Sequence, residues 1–293
     1  MDKKNKRNIY FLLFAGVVIL STSGILIRLA TAAPLIIAFY RMFFSILFMS
    51  PFIFQKYREA LVYFKEIKLL LVGFFLAAHF FLWTTAFEYT SVSNAVIFIA
   101  LQPLFTYLLE YFFAREDLQP GIMSGIIFAV LGSIVISIGN FNGFFVSLRG
   151  DVLAIIATFF AASYLFAGRG LRERLAYFPY LYIIYTYAAL FLGIMSLFTR
   201  QQFIGHGWQN YLCFLGLALG PTLMGHSILN YSVRKLPATV VSLTILLEPV
   251  LTTIFAWMLL GEGIKWTTLI GGFLILTGVY RAFLRNPRRA DVN

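Results

Sequence analysis

LLEPVLTTIFAWMLLGEGIKW, residues 246–266, is the stretch on which the fold turns. It sets Glu248 directly before Pro249 inside a long, mostly apolar run. A carboxylate among apolar side chains is costly, and a proline frees the carbonyl four residues earlier, that of Ile245. Both are tolerated at membrane depth where they face protein or a water-filled cavity. The stretch has a counterpart in ALQPLFTYLLEYFFAREDL, residues 100–118. Under a shift of 146 residues, Leu101 meets Leu247, Gln102 meets Glu248, Pro103 meets Pro249, Thr106 meets Thr252 and Glu116 meets Glu262. Further on, Gly125 meets Gly271 and Gly132 meets Gly278. A proline, an acidic residue and a glycine pair matched at one offset mark a duplicated unit.

Composition says what kind of unit this is. Of 293 residues, 60% are hydrophobic and 12% charged, whereas a soluble domain carries roughly 25% charged residues. Mean hydropathy is +0.85. Crossing a bilayer core of about 30 Å takes roughly 20 apolar residues. Ten candidate spans follow, at 9–29, 34–54, 69–87, 93–113, 119–139, 151–169, 179–198, 210–231, 237–260 and 267–284. The longest polar connection, 55–68, alternates charged and apolar residues and is expected at the membrane interface. Little chain remains for a soluble catalytic domain, and the sequence has no Walker or Gly-x-Ser-x-Gly element.

The net charge of +11 reads as topology rather than as a nucleic-acid face. With the N-terminus inside, 18 of the 23 Lys and Arg residues fall in inward segments. Four fall outside: Arg28, Arg149, Arg200 and Lys265. Basic loops stay cytoplasmic, so both termini are expected there, in an inner (cytoplasmic) membrane. The basic start and its apolar run show no clear small-residue cleavage site and read as a retained first helix. Cys213 is the single cysteine, so no internal disulfide forms. Three histidines without H-x-x-x-H spacing give no reason to expect a metal or other cofactor. The expected organisation is a tail over 1–8, five helices over 9–139, five over 151–284 and a tail over 285–293. Five is odd, so the second set enters from the opposite side. The expected fold class is all-α integral membrane: ten transmembrane helices as two inverted repeats around a central cavity, a common plan of secondary transporters.

These pieces resemble the drug/metabolite transporter superfamily, in particular its ten-helix EamA-type exporters. The resemblance lies in PLIIAFYRMFFS (34–45) with Arg41, in ALQPLFTYLLEYFFAREDL and in LLEPVLTTIFAWMLLGEGI. The glycine-rich spans GIMSGIIFAVLGSIVISIG and TTLIGGFLILTGVY add to it, and it covers about 9–284. It implies a basket of helices and the export of small metabolites, amino acids among them, often without ATP. It names no substrate. Gln102 stands where Glu248 sits in the other half, so carboxylate chemistry belongs to one half only.

Candidate site residues come from polar groups at helical spacing. Thr244, Glu248 and Thr252 form one stripe in span nine. Glu248 could take up and release protons, or bond a neighbouring helix as a neutral acid. Pro103 and Pro249 read as hinges that shape the cavity. Thr222, His226 and Asn230 form a stripe in span eight that either lines a wet cavity or bonds between helices. His226 is a second group able to titrate near neutral pH. His79 and Trp83 share a face of span three. Gln102 in span four and Tyr164 in span six complete the set, and Glu110 is expected to meet Arg115 or water. Arg41 is the one basic residue within a span. It either pairs with a carboxylate or helix end, or holds a substrate carboxylate at two points. Ser21, Thr22, Ser23 and Gly24 read as helix packing, as do the paired glycines.

The function pointed to is a non-enzymatic secondary transporter that exports small metabolites, amino acids or related compounds first, by alternating access. Its partners would be a small-molecule substrate and the lipid bilayer, with protons as a candidate coupling ion and neither nucleotide nor nucleic acid. A monomer suffices for this, and the sequence is silent on assembly. The alternative within transport is a proton-coupled exporter of drugs or organic cations, with Glu248 as counter-charge. An intramembrane transferase would need a nucleophile with its base, or a metal cluster, at a membrane face, and none is evident. A channel would need a charge ring or carbonyl filter.

Overall fold

The computed structural model describes residues 3–114, 120–138, 144–233 and 247–284. Among the described residues every regular element is helical. The chain opens with α1 (Lys3–Ser21), α2 (Ser23–Leu29), α3 (Pro34–Lys56) and a 3-10 helix over Arg58–Lys65. Then come α4 (Ile67–Ala86) and α5 (Val92–Phe98), which passes through a 3-10 turn into α6 (Gln102–Ala114). Next are α7 (Pro120–Ile138), α8 (Phe144–Ala167), α9 (Arg169–Arg174) and α10 (Tyr177–Phe198). Last are α11 (Trp208–Leu217), a π-helical stretch over Ala218–Gly225, α12 (His226–Val233), α13 (Leu247–Leu260) and α14 (Trp266–Leu284). Among the described residues seven stretches are long and apolar enough to cross a membrane, and α13 and α14 add shorter apolar helices. Large apolar side chains point outwards: Phe11, Phe113, Phe198 and Phe273 are 75%, 73%, 84% and 70% exposed. Such a surface belongs in lipid, and the protein is a multi-pass membrane protein.

Two local breaks prepare the interior. Between α1 and α2, Thr22 turns its hydroxyl onto the Ile19 carbonyl at 2.6 Å. In the apolar stretch Trp208–Ile228, Pro221 has no N–H to offer the Leu217 carbonyl. The π winding instead turns the N–H five residues on, that of Thr222, toward that carbonyl, and the Thr222 hydroxyl donates to it as well, at 2.8 Å. The helix continues with a π turn rather than stopping, a feature that recurs at functional sites.

The most extensive helix contact joins α7 to α14. Gly132 lies against Gly271 and Ile275, and Gly271 against Gly132 and Ile136, so the two helices run antiparallel. A methyl group added at Gly132 would fall 2.5 Å from the Gly271 carbonyl oxygen, and one at Gly271 2.5 Å from that of Gly132. Only glycine permits that approach.

Polar contacts gather at two ends of the helix bundle. At one end, the Val92 N–H donates to both carboxylate oxygens of Glu262, at 3.0 and 3.2 Å. There Thr90 donates to Asp151 at 2.8 Å, Arg28 to the Phe87 carbonyl, and the N–H groups of Thr31 and Ala32 to Asn210 at 2.8 and 3.0 Å. At the other end Arg169 pairs with Glu110 at 3.3 Å and Arg174 with Glu66 at 3.8 Å, and Tyr187 donates to the Phe64 carbonyl. The expected span nine starts at 237. Its residues 237–246, with Thr244, lie outside the described residues, as do Glu116, the tail 285–293 and the side chains of Pro103 and Asn230.

Candidate functional site

Arg41 sits at the centre. It is 4% exposed, in a helix whose other charge is Lys56 at its far end. A buried guanidinium must be met by acceptors or rings. Its Nε donates to Thr222 Oγ1 at 2.7 Å and its Nη1 to Ser23 Oγ at 3.3 Å. Its carbon lies 4.1 Å from the centre of the Phe80 ring. The three contacts come from the π stretch, α2 and α4. Thr222 is the pivot: one hydroxyl accepts from Arg41 and donates to the Leu217 carbonyl at the start of the π stretch.

Four more polar groups surround this charge. Glu248, Tyr185, His79 and His226 all lie within electrostatic range of Arg41. The Nδ1–H of His79 donates to the Ala157 carbonyl of α8 at 2.8 Å, and its ring stacks on Trp83 at 6.1 Å. Arg41, His79, Trp83, Thr222 and Tyr185 are buried, whereas Glu248 and His226 are partly exposed. The Glu248 carboxylate makes no hydrogen bond or ion pair with any described residue. Its backbone, however, is held. Ser21 Oγ donates to the Glu248 carbonyl at 3.5 Å, and Thr252 Oγ1 donates to the Ser21 carbonyl at 3.0 Å. The break between α1 and α2 is thus where α13 docks.

The sequence pattern of the EamA-like transporter family matches the chain twice, over residues 7–138 and 148–284. The chain belongs to the EamA-like transporter family. This EamA-like transporter, a member of the drug/metabolite transporter superfamily, is similar to an uncharacterized transporter of Archaeoglobus fulgidus. The two are 29% identical over 196 residues, 66% of this chain and 68% of the other. The uncharacterized transporter YxxF of Bacillus subtilis is 25% identical over 227 residues, 75% and 70% of the two chains. One solved crystal structure shares the fold over 97% of this chain and 99% of its own, with a TM-score of 0.67 and 16% identity.

The fold of this EamA-like transporter brings together Arg41, His79, Trp83, Thr222, His226 and Glu248. Tyr164 lies within electrostatic range of Tyr185. Gln102 is partly buried where α6 begins, and its carbonyl accepts from the Thr106 hydroxyl at 3.0 Å. Thr252 is 1% exposed and turned to α1. Glu110 pairs with Arg169, a residue from the far side of α8 in sequence; Arg115, named as its expected partner, lies outside the described residues. Reading the sequence missed Ser23, Phe80, Tyr185 and Pro221. Of these only Pro221, behind Gly220 in an apolar run, carried a signal of its own; the other three become site residues only because of what packs beside them.

Proposed function

We propose that this EamA-like transporter is a secondary exporter of small metabolites, amino acids first among them, working by alternating access between two inverted five-helix halves. The observation that carries the reading is the Arg41 cluster. Its members come from both family-matched segments: Ser23, Arg41, His79 and Phe80 from one, Thr222, His226 and Glu248 from the other. A polar site at the seam of two repeats is where secondary transporters bind. Two further features support the inverted arrangement. Under the shift of 146, α14 is the image of α7, and an in-plane two-fold axis sets such images antiparallel against each other. That is how Gly132 meets Gly271. The grouping of residues 28–32, 87–92, 149–151, 203–210 and 262 at one end also suits ten crossings with the basic loops at the opposite, cytoplasmic end. The export direction is what the family resemblance implies.

Glu248 favours one second reading, a proton-coupled exporter of organic cations, because its carboxylate is unpaired among the described residues. The buried Arg41 nearby opposes it, since a cation there would face a like charge. Uptake into proteoliposomes tests both readings. Labelled amino acids and amines are offered to wild type and Glu248→Gln, with and without a pH gradient. Amino-acid flux driven by the gradient in wild type, with that coupling lost in the variant, supports coupled export with Glu248 as the proton site. Flux that ignores the gradient in both proteins makes the transporter facilitative. Flux of amines alone replaces the amino-acid reading with the second one.

A further inference from the structure

The chain between α3 and α4 carries more positive charge than the fold uses. It joins two membrane-crossing stretches, so it lies at a membrane face. Its 3-10 helix, Arg58–Lys65, winds three residues to the turn, so residues three apart share a side. The side with Leu61 and Phe64 packs against the core shared by α3, α4 and α10, and the Phe64 ring meets Tyr187 edge-on at 5.5 Å. The Phe64 carbonyl accepts from the Tyr187 hydroxyl. The side with Val62 and Lys65 is left outside. Val62 is 60% exposed, and Ile67 just beyond the helix is 72% exposed. Around them Lys56, Arg58, Lys65 and Lys68 are exposed, and none has an ion pair or a side-chain hydrogen bond with a described residue. The acids of the segment do not offset them. Glu66 is paired with Arg174 of α9 at 3.8 Å, which leaves Glu59 alone against these four cations.

We infer that this segment is a docking surface for anionic phospholipid. Val62 and Ile67 enter the boundary between headgroups and acyl chains, and Arg58, Lys65 and Lys68 close on the phosphates. Exposed branched apolar side chains at a membrane face leave water only by entering lipid. Unpaired cations beside them are drawn to a negative surface, and a guanidinium meets a phosphate at two points. A zwitterionic headgroup suits the apolar pair but sets its own cation against the lysines. A free phosphate suits the charges and leaves Val62 and Ile67 in water. The segment belongs to the first family-matched stretch, and both its anchors, Tyr187 and Arg174, belong to the second. Lipid held here therefore braces the seam between the two, and the folded chain gains stability from it.

The test titrates the full chain in a neutral detergent with phosphatidylglycerol, phosphatidylcholine or soluble glycerol phosphate while its unfolding temperature is followed. Each Lys or Arg near an anionic surface strengthens attachment about fivefold. The unfolding temperature should rise with phosphatidylglycerol at a midpoint at least about tenfold below that of phosphatidylcholine, and glycerol phosphate should leave it unchanged. Lys65→Gln combined with Lys68→Gln removes two charges and no side-chain bond among the described residues. That double variant should need at least about tenfold more phosphatidylglycerol. Equal midpoints for the two lipids, an equal response to glycerol phosphate, or an unmoved midpoint in the double variant would each overturn the proposal. A local readout stands beside it. In a Cys213→Ser background, the thiol introduced by Val62→Cys is reacted with a membrane-impermeant maleimide in nanodiscs. It should react severalfold more slowly in discs containing phosphatidylglycerol than in discs of phosphatidylcholine alone; equal rates mean that the lipid sits elsewhere and sink the proposal.

Discussion

One hydroxyl couples the π stretch to the buried charge. Thr222 donates to Leu217 and accepts from Arg41, and it is fully buried. Thr222→Val keeps the shape and removes both hydroxyl bonds; the Leu217 carbonyl retains the backbone N–H of the π turn, and the charged Arg41 N–H is left without this partner. An ordinary interhelical bond in a membrane is worth about 0.6 kcal/mol, but an unsatisfied buried group costs about 1–3 kcal/mol, and more when charged. Thermal unfolding in detergent should therefore come several degrees lower for Thr222→Val and close to wild type for Thr222→Ser. Equal stability of the valine variant would mean that Arg41 finds its acceptor elsewhere. At this scale the sequence was legible where chemistry is conspicuous. Arg41 and Glu248 are lone charges in apolar runs and announce themselves. Ser23 and Tyr185 are ordinary residues for a membrane helix, and nothing short of the packing of α2 and α10 against α3 could single them out.

Among the elements, the repeat guided the reading and also limited it. Pro103 and Pro249 match under the shift of 146, which drew attention to them, whereas Phe75 stands opposite Pro221. A proline without a counterpart is invisible to a repeat comparison, yet it is the one that creates the π stretch. Pro221→Ala would return an N–H to Leu217 and favour a regular helix. Proline in a helix interior costs about 3 kcal/mol, so this variant should unfold at a higher temperature. Regular winding would also turn Thr222 away from Arg41, so uptake should fall severalfold. A variant that is both less stable and less active would mean that the ring of Pro221 is needed for packing. The α7–α14 contact makes the opposite case, because its glycines were legible as packing residues from their spacing. At Gly132, alanine meets the Gly271 carbonyl oxygen at 2.5 Å, and overpacking of this kind typically costs about 1–3 kcal/mol. Gly132→Ala should lower the unfolding temperature, and Gly271→Ala should do so to a similar degree.

For the whole molecule, alternating access requires bonds that hold one end shut and release when the other closes. Glu262 has the form of such a bond. It comes from the loop between α13 and α14, in the second family-matched segment, and its carboxylate accepts from the first N–H of α5, in the first. Loop charges carried the expectation of ten spans, whereas nothing in the sequence announced this clasp, because Glu262 entered the reading only as a repeat landmark. Its effect can be measured beside it. Ser93 is 4% exposed, and its hydroxyl has no hydrogen-bond partner among the described residues, so Ser93→Cys removes no bond. In a Cys213→Ser background, that thiol should react slowly with a membrane-impermeant reagent added on the side away from the termini. Replacing a helix-capping acceptor typically costs about 1 kcal/mol. Glu262→Gln loses the charge but keeps one acceptor, so labelling of Cys at 93 should rise severalfold. Substrate that favours closure of this end should slow labelling in both proteins. Labelling that is equally slow with and without the Glu262 carboxylate would mean that the end is held by Thr90–Asp151 and Asn210 instead, leaving Glu262 as a fixed helix cap.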